Sequence, residues 1–229
     1  MPKYARILTM KYGETIFDII YLLFVFTFAI ILFGKRRKTP IAMLFGVMAL
    51  FLGIGDAFHL IPRIISYWST DDLYIQKGLG KMLTSLTMTV FYLMLEMVRK
   101  IIKQERSNAY LVVLVLLGMV RMIICVFPQN GWFYETSSAY TFSIIRNIPF
   151  ALMGGLTVYL WFKDFRSDKY FKYIWVLVTL SFTFYFITVF GAPFIDWLGM
   201  MMIPKTICYM VMIVLFYLFC KNEKVIYER

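Results

Sequence analysis

Charged side chains are scarce in this chain of 229 residues. They make up 16% of the sequence, while 61% is hydrophobic and 19% aromatic; a soluble domain carries about 25% charged residues. This shortage argues against a water-soluble globular protein, because so much apolar surface needs lipid as its solvent. No stretch is long and polar enough to form a separate soluble domain, so we predict a single membrane domain over residues 1–229.

Histidine and cysteine are also rare: the chain has one histidine, His59, and three cysteines. One histidine with a few scattered acids is a poor ligand set for zinc. The cysteines, Cys125, Cys208 and Cys220, have neither metal-site spacing nor the pattern of a disulfide framework. We therefore predict no metal site and no disulfide. The net charge of +11 would suggest nucleic acid in a soluble protein, but here most basic residues flank apolar segments, which argues against that partner.

Long apolar segments are abundant, and each can cross a hydrocarbon core of ~30 Å. The first is too long for the apolar part of a signal peptide and has no small-residue cleavage site after it, so we count it as a span. The sequence thus predicts an all-α, polytopic membrane protein, a seven-transmembrane helix bundle. The predicted spans cover about residues 13–34, 41–65, 79–98, 109–128, 139–162, 172–192 and 198–220.

Lysine and arginine are unevenly distributed between the connections. The connections after the first, third and fifth spans hold four each and the tail holds three, whereas the other three connections hold one, none and none. Short cytoplasmic loops carry the excess of Lys and Arg. We therefore predict a cell-membrane protein with its N-terminus outside and its C-terminus in the cytoplasm. Aromatic belts form at the membrane interfaces, and we assign to the outer belt Trp68, Trp132, Tyr134 and Trp197.

The second span ends in the stretch GDAFHLIPR, which contains three ionisable residues, Asp56, His59 and Arg63. Their spacing of i, i+3 and i+7 places them on one helix face. Other spans carry polar residues in their outer halves, most of them about 10 Å below the outer edge at ~1.5 Å per residue, with Glu14 one turn above Asp18 and Lys81 at the start of the third span. These polar residues are Glu14, Asp18, Lys81, Arg121, Arg146, Asn147 and Lys205.

A charge in hydrocarbon costs at least ~2.5 kcal/mol, so such residues usually face a protein interior, a partner or water. We predict a polar pocket between the helices that opens to the outer face. The alternative is a set of ion pairs and backbone contacts that only lock the bundle. The inner half of the spans is much poorer in charge, with Glu96 as its main exception.

Cations outnumber acids among the residues predicted to line this pocket. A buried surplus of cations favours an anion, and the donor fork of arginine suits phosphate and carboxylate. The sequence therefore predicts membrane lipids as partners and a site for an anionic lipid headgroup or a small anion. It gives no oligomeric state. The five cations are Arg63, Lys81, Arg121, Arg146 and Lys205, and the three acids are Glu14, Asp18 and Asp56.

Asp56 and His59 form the pair that we consider for proton transfer, because they lie one helical turn apart. A histidine within a span also serves as a hydrogen-bonding contact between helices, and both roles stay open. Lys205 in the last span resembles the retinal lysine of microbial rhodopsins. Those proteins usually have an acid four residues earlier, where this chain has Met201, and the third span has no mid-span acid. We therefore predict no cofactor.

Two stretches, FLGIGDAFHL and YIQKGLGKMLTSLTMTVFYLML, resemble the lysoplasmalogenase family of membrane proteins. The similarity lies in Gly55-Asp56 after a run of small residues, in Gly78-Leu79 at a helix start, and in Tyr92 near its end. The stretch GMMMIPKTICYMVMIVLFYLF is similar to the last helix of the family. The resemblance implies a multi-span hydrolase of lysophospholipids with a vinyl-ether tail, in which Asp56 would be the acid that protonates the enol ether.

The chain also differs from this family. The family has a second Asp in a late span, whereas residues 176–191 contain no acid here, and it usually has eight spans. The enzyme hypothesis therefore stands beside a second class of function. That alternative is a non-enzymatic seven-helix receptor, sensor or small-anion transporter that uses the same pocket.

Overall fold

The structure is a computed structural model that describes residues 3–37, 39–70 and 73–222. Side chains are described from Lys11 onward, except at residue 196. Lys38 and the last seven residues, which include Lys224 and Arg229 of the basic tail, lie outside the described residues, and part of the topology prediction depends on them. The same is true of the side chains of Lys3 and Arg6.

Over the described residues the chain forms seven α-helices and no strand, which confirms the all-α prediction. Seven segments are long and apolar enough to cross a membrane, as the sequence predicts. Two short 3-10 helices, Pro128–Asn130 and Asp196–Met201, precede α5 and α7. The α-helices are α1 (Lys3–Lys35), α2 (Ile41–Trp68), α3 (Tyr74–Lys103), α4 (Ala109–Val126), α5 (Ala139–Phe165), α6 (Ile174–Gly191) and α7 (Met202–Asn222).

The helix α3 is longer at both ends than the predicted span of residues 79–98. Hydropathy marks only the apolar middle, whereas the helix continues through its polar ends because Lys, Arg and Gln are good helix formers. Gln104 ends the helix in a left-handed conformation with φ of 50°, a common way to terminate a helix. The extension adds Lys77 and Arg99 to the helical part of the chain.

The helices form a closed ring in chain order. Each helix packs against the next, α7 packs against α1, and the pairs α3–α5 and α2–α7 also touch. Buried aromatic side chains, among them Phe45, Phe91 and Trp161, fill the interior. Large apolar side chains such as Ile30 and Ile123 are exposed on the outer faces, as expected for a surface that lipid covers.

Glycines allow α2 and α3 to approach at backbone contact. A Cβ on Gly80 would lie 2.2 Å from the carbonyl oxygen of Phe58, and one on Gly55 would lie 2.0 Å from Oγ1 of Thr87. The Oγ1 of Thr84 donates a hydrogen bond of 2.8 Å to the carbonyl of Gly55. This contact fixes the position of the α2 segment that carries Asp56, His59 and Arg63.

The connection between α4 and α5 folds inward over one end of the ring. Trp132 Nε1 donates to the carbonyl of Cys125 at 2.7 Å, and Asn130 Nδ2 donates to that of Ile124 at 2.7 Å. Gly131 makes the turn with φ of 69°. A Cβ on Gly78 would lie 1.6 Å from the carbonyl oxygen of Trp132, so α3 touches this connection directly.

Trp132 corrects one sequence expectation. It is only 4% exposed and makes an internal hydrogen bond, so its assignment to the outer aromatic belt is wrong. The other three aromatic residues assigned to that belt, Trp68, Tyr134 and Trp197, are exposed. The inward turn of the connection, which sequence spacing does not reveal, accounts for the difference.

Candidate functional site

A cavity of about 280 Å³ lies at the end of the ring where α2, α4 and α6 finish and α3, α5 and α7 begin. His59 lines it, together with apolar side chains such as Met88 and Phe150. All five cations that the sequence analysis selected also line this cavity: Arg63, Lys81, Arg121, Arg146 and Lys205. The structure therefore brings residues from five different helices to one place.

Arg121 is the most deeply buried of these cations, with 1% of its surface exposed. Its Nη1 donates to Oγ1 of Thr89 at 2.9 Å, and its guanidinium carbon lies 3.4 Å from the ring centroid of Phe150. Its Nε has no hydrogen-bond partner. Among the described side chains no carboxylate lies within ion-pair distance of Arg121. A hydroxyl and a ring face are therefore its main neighbours.

Arg146 is held in a fixed orientation by the neighbouring connection. Its Nη1 donates to Oδ1 of Asn130 at 2.7 Å and its Nη2 to Oγ of Ser143 at 3.2 Å. The guanidinium carbon lies 4.5 Å from the ring centroid of Trp132, and Nε has no partner. As with Arg121, no described carboxylate forms an ion pair with this side chain.

Lys205 lies in the first turn of α7 and is 6% exposed. Its Nζ lies 5.2 Å from the ring centroid of Tyr185 and 5.6 Å from that of Tyr209. Asn147, another predicted ligand-binding residue, does not line the cavity. Its Oδ1 instead accepts a hydrogen bond of 2.8 Å from the hydroxyl of Tyr185, so Asn147 positions a residue of the cavity wall.

A second, smaller cavity of about 50 Å³ adjoins the first on the side of α1. The two cavities share His59, Arg63 and Lys205 among their lining residues. The smaller one contains all three predicted acids, Glu14, Asp18 and Asp56. The acids therefore lie on the α1 side of the polar region, beside Arg63 and Lys205, whereas Arg121 and Arg146 line only the larger of these two cavities.

The three acids are each bonded across the contact between α1 and α2. Arg63 Nη2 donates to Asp18 Oδ2 at 2.6 Å, which is also a salt bridge. The other two acids accept from tyrosines, so each acid has a donor, whereas the cations of α4, α5 and α7 form no ion pair with a described carboxylate. Those two bonds are Tyr21 to Asp56, at 2.5 Å, and Tyr67 to Glu14.

Asp56 and His59 line the smaller cavity together, but no hydrogen bond joins them among the described residues. The hydroxyl of Tyr21 bonds to the Asp56 carboxylate, and Nδ1 of His59 has no partner. In this conformation the carboxylate therefore does not orient the imidazole. A proton transfer that uses both groups would have to pass through water or substrate.

An aromatic layer closes the larger cavity toward the opposite end of the ring. The hydroxyls of Tyr92 and Tyr209 lie 3.1 Å apart, and the Tyr92 ring contacts Phe91, Phe150 and Phe182. Tyr92, which ends the family-like stretch of the sequence, is therefore a packing residue of this layer.

Beyond this layer lies a separate buried ion cluster centred on Arg99, which is 2% exposed. Arg99 binds Glu96 at 2.7 Å, Glu105 at 2.5 Å and also Asp164. These contacts join α3 to α5 and to the connection after α3. Glu96, the main charge that the sequence places in the inner half, is therefore part of a structural cluster.

Several residues of the polar region were missed in the sequence analysis. Tyr21 lies one turn from Asp18 on α1, and that spacing was a signal that could have identified it. Thr89 and Tyr185 resemble many other span residues, so nothing in the sequence distinguishes them. Asn130 reaches Arg146 only because its connection folds inward.

Comparisons of this chain with protein-family models, with curated proteins and with solved structures give no match. A function must therefore be argued from the site itself, since a fold alone does not define one.

Proposed function

We propose that this protein is a multi-pass protein of the cell membrane that binds an anionic lipid headgroup or a small anion in the larger cavity. The observation that supports this best concerns three buried or half-buried cations, Arg121, Arg146 and Lys205, and the acids near them. All three line the cavity, and no described carboxylate pairs with any of them. A buried charge without a partner is unfavourable, and a bound anion would supply the partner.

The proposal places the cavity on the outer face. It lies at the end of the ring formed by the α2–α3, α4–α5 and α6–α7 connections, which hold no Lys or Arg between them. Cytoplasmic loops are the ones rich in these residues. The N-terminus would therefore lie outside and the C-terminus in the cytoplasm.

The walls of the cavity favour a lipid headgroup over a fully hydrated ion. Apolar side chains, among them Met88, Phe150, Val189 and Met202, line it beside the cations. A site with few polar groups in an apolar wall is the usual form of a small-molecule site. The anionic headgroup of a lipid would contact the cations, and the first part of its hydrocarbon chain would contact the apolar side chains.

Hydrolysis of a lysophospholipid is a second candidate function, which follows from the resemblance to the lysoplasmalogenase family. The observation in its favour is that Asp56 and His59 line a cavity that shares Arg63 and Lys205 with the cationic one. If the cations hold the phosphate of such a lipid, the part of the lipid next to the phosphate would lie near Asp56 and His59. In this reaction an acid protonates the enol ether at carbon, and water adds to the resulting cation and loses a proton that restores the acid. The hemiacetal formed then breaks its bond to the glycerol oxygen, which releases an aldehyde and the glycerol phosphoester.

A binding experiment on single substitutions tests the main proposal. The protein would be placed in nanodiscs of neutral phosphatidylcholine and titrated with inorganic phosphate and with lysophosphatidic acid. Arg121→Gln, Arg146→Gln and Lys205→Gln should each weaken binding of the same ligand about ten- to a hundredfold, because each removes a charge-assisted bond of roughly 1.5–3 kcal/mol.

Lys172→Gln is the matched control, because Lys172 lies in the α5–α6 connection at the other end of the ring, with its Nζ over the ring of Tyr173. It should bind as the unaltered protein does. Equal affinity in all four variants, or no binding of either ligand, would contradict the proposal.

A further inference from the structure

A third cavity, of about 370 Å³, adjoins the cationic cavity of about 280 Å³ beneath the α4–α5 connection. The cationic cavity is called the larger one only by comparison with the 50 Å³ cavity of the acids. The third cavity and the cationic one share Lys81, Trp132 and Arg146. The new element in this outer cavity is Lys77, one helical turn before Lys81 on α3. Because residues four apart lie on one helix face, the two lysines present neighbouring charges to the same depression.

We propose that this outer cavity is a second anion subsite, so that the ligand carries two adjacent anionic groups, as a diphosphate monoester does. The inference rests on the proposed function of the larger cavity. Arg121 and Lys205 would hold the inner phosphate, and Lys77 and Lys81 the outer one. Arg146, which lines both cavities, would lie between them.

The charge balance favours two anionic groups over one. Among the described residues neither cavity is lined by an acid, and Arg63 is already paired with Asp18. Five lining cations form no ion pair with a described carboxylate: Lys77, Lys81, Arg121, Arg146 and Lys205. A phosphate monoester carries about −1.5 to −2 charges at neutral pH, which leaves part of this charge uncompensated. A second phosphate adds the missing negative charge.

Unsatisfied donors point the same way. The Nε atoms of both Arg121 and Arg146 are buried and have no hydrogen-bond partner. A buried donor without a partner is costly. Arg121 belongs to the inner part of the site, and Arg146 belongs to the part that both cavities share. The other nitrogens of Arg146 are held by Asn130 and Ser143, so its guanidinium is fixed before a ligand arrives.

The diphosphate could come from either of two sources. It could be free in solution, or it could be the headgroup of a lipid whose chain lies along Met88, Phe150, Val189 and Met202 in the larger cavity. The diphosphate chemistry is common to both. Only the contribution of the chain distinguishes them, and a comparison of ligands with and without a chain measures it.

The test is calorimetric titration of the full-length protein in phosphatidylcholine nanodiscs with phosphate, pyrophosphate and geranyl diphosphate. Pyrophosphate should bind about tenfold or more tightly than phosphate, because it makes additional charge-assisted hydrogen bonds. Lys77→Gln should remove most of this advantage and leave phosphate affinity unchanged, whereas Arg121→Gln should weaken both anions. If geranyl diphosphate binds more tightly than pyrophosphate, the ligand is a lipid. If the two bind equally, the ligand is a free diphosphate. Either outcome supports two subsites.

Equal affinities for phosphate and pyrophosphate, both unaffected by Lys77→Gln, would overturn the second subsite and leave the proposed function intact. Absence of binding of all three ligands would overturn both. Lys172→Gln is again the control for a general change in charge. If Lys77→Gln does not fold, Lys81→Gln makes the same comparison, with the same expected loss of the pyrophosphate advantage.

Discussion

Replacement of Asp56 by Asn separates the enzyme hypothesis from the binding hypothesis. The change keeps the shape of the side chain and removes its charge and its titratable proton. If Asp56 is a catalytic acid, turnover of a vinyl-ether lysophospholipid should be lost while headgroup binding stays near normal. If Asp56 only balances cations, the protein should lose stability, and anion binding should tighten because a negative charge has left the site.

The structure sets the size of the stability effect. Asp56 is half-buried and accepts one hydrogen bond, of 2.5 Å, from the hydroxyl of Tyr21. An Asn oxygen can still accept this bond, so the loss is the difference between a charged and a neutral acceptor, about 1 kcal/mol. Lys205 lines the same small cavity without forming an ion pair with Asp56, so their attraction stays below ~4 kcal/mol. We expect a total loss of about 1–3 kcal/mol in the structural case.

Two assays on one preparation measure both quantities: thermal unfolding in nanodiscs and titration with phosphate. Tyr21→Phe is the matched control, because it removes the donor but keeps the carboxylate. It should destabilise the protein by about 1 kcal/mol and leave anion affinity nearly unchanged. The structural explanation is refuted if Asp56→Asn abolishes hydrolysis of a vinyl-ether lysolipid without any change in stability.

Three further predictions concern the bundle. Gly78→Ala should destabilise the protein by about 1–3 kcal/mol in chemical denaturation, because the new Cβ would lie 1.6 Å from a carbonyl oxygen. The control Gly155→Ala has open space around the new Cβ and should be neutral or slightly stabilising. Equal effects of the two changes on stability would refute the close contact. Arg99→Gln should cost about 3–5 kcal/mol by the same measurement, because it leaves three carboxylates without their shared cation; a loss under ~1 kcal/mol would contradict this. Cysteines at exposed Gln129 and Asn222 should be labelled by an impermeant maleimide from opposite sides in intact cells, Gln129 from outside; the reverse pattern would overturn the orientation. The native cysteines are buried, which keeps the background low.

The helices were predictable from the sequence because apolar runs of span length have few other stable states in lipid. Five of the seven predicted spans agree with the helices to within a few residues, whereas α1 begins at Lys3, well before the predicted start at residue 13, and α3 is longer at both ends. The error at α3 has a physical reason: hydropathy detects the lipid-facing middle of a helix and not its polar ends. Lys77, which enters the outer cavity, was lost from the predicted site for that reason.

The candidate site was predictable in part, because an unpaired charge within a span needs a polar surrounding. This argument selected Arg121, Arg146 and Lys205 before their neighbours were known. It could not give the pairing, because pairing depends on which helices touch. The bond between Tyr21 and Asp56 requires α1 beside α2, and the contact between Asn130 and Arg146 requires an inward loop.

The separation of charge in the polar region also links ligand binding to folding. The acids are satisfied by the contact between α1 and α2, so that side of the ring is complete without a ligand. The cations of α4, α5 and α7 converge on one cavity without a described carboxylate, and their mutual repulsion opposes the packing of those helices. An anion that binds only the folded protein stabilises it by RT ln(1 + [L]/Kd), about 2.7 kcal/mol at a hundredfold excess over Kd. Thermal stability should therefore rise most with the anion whose charge matches the cavity, and a series from phosphate to pyrophosphate ranks the candidate ligands without an activity assay.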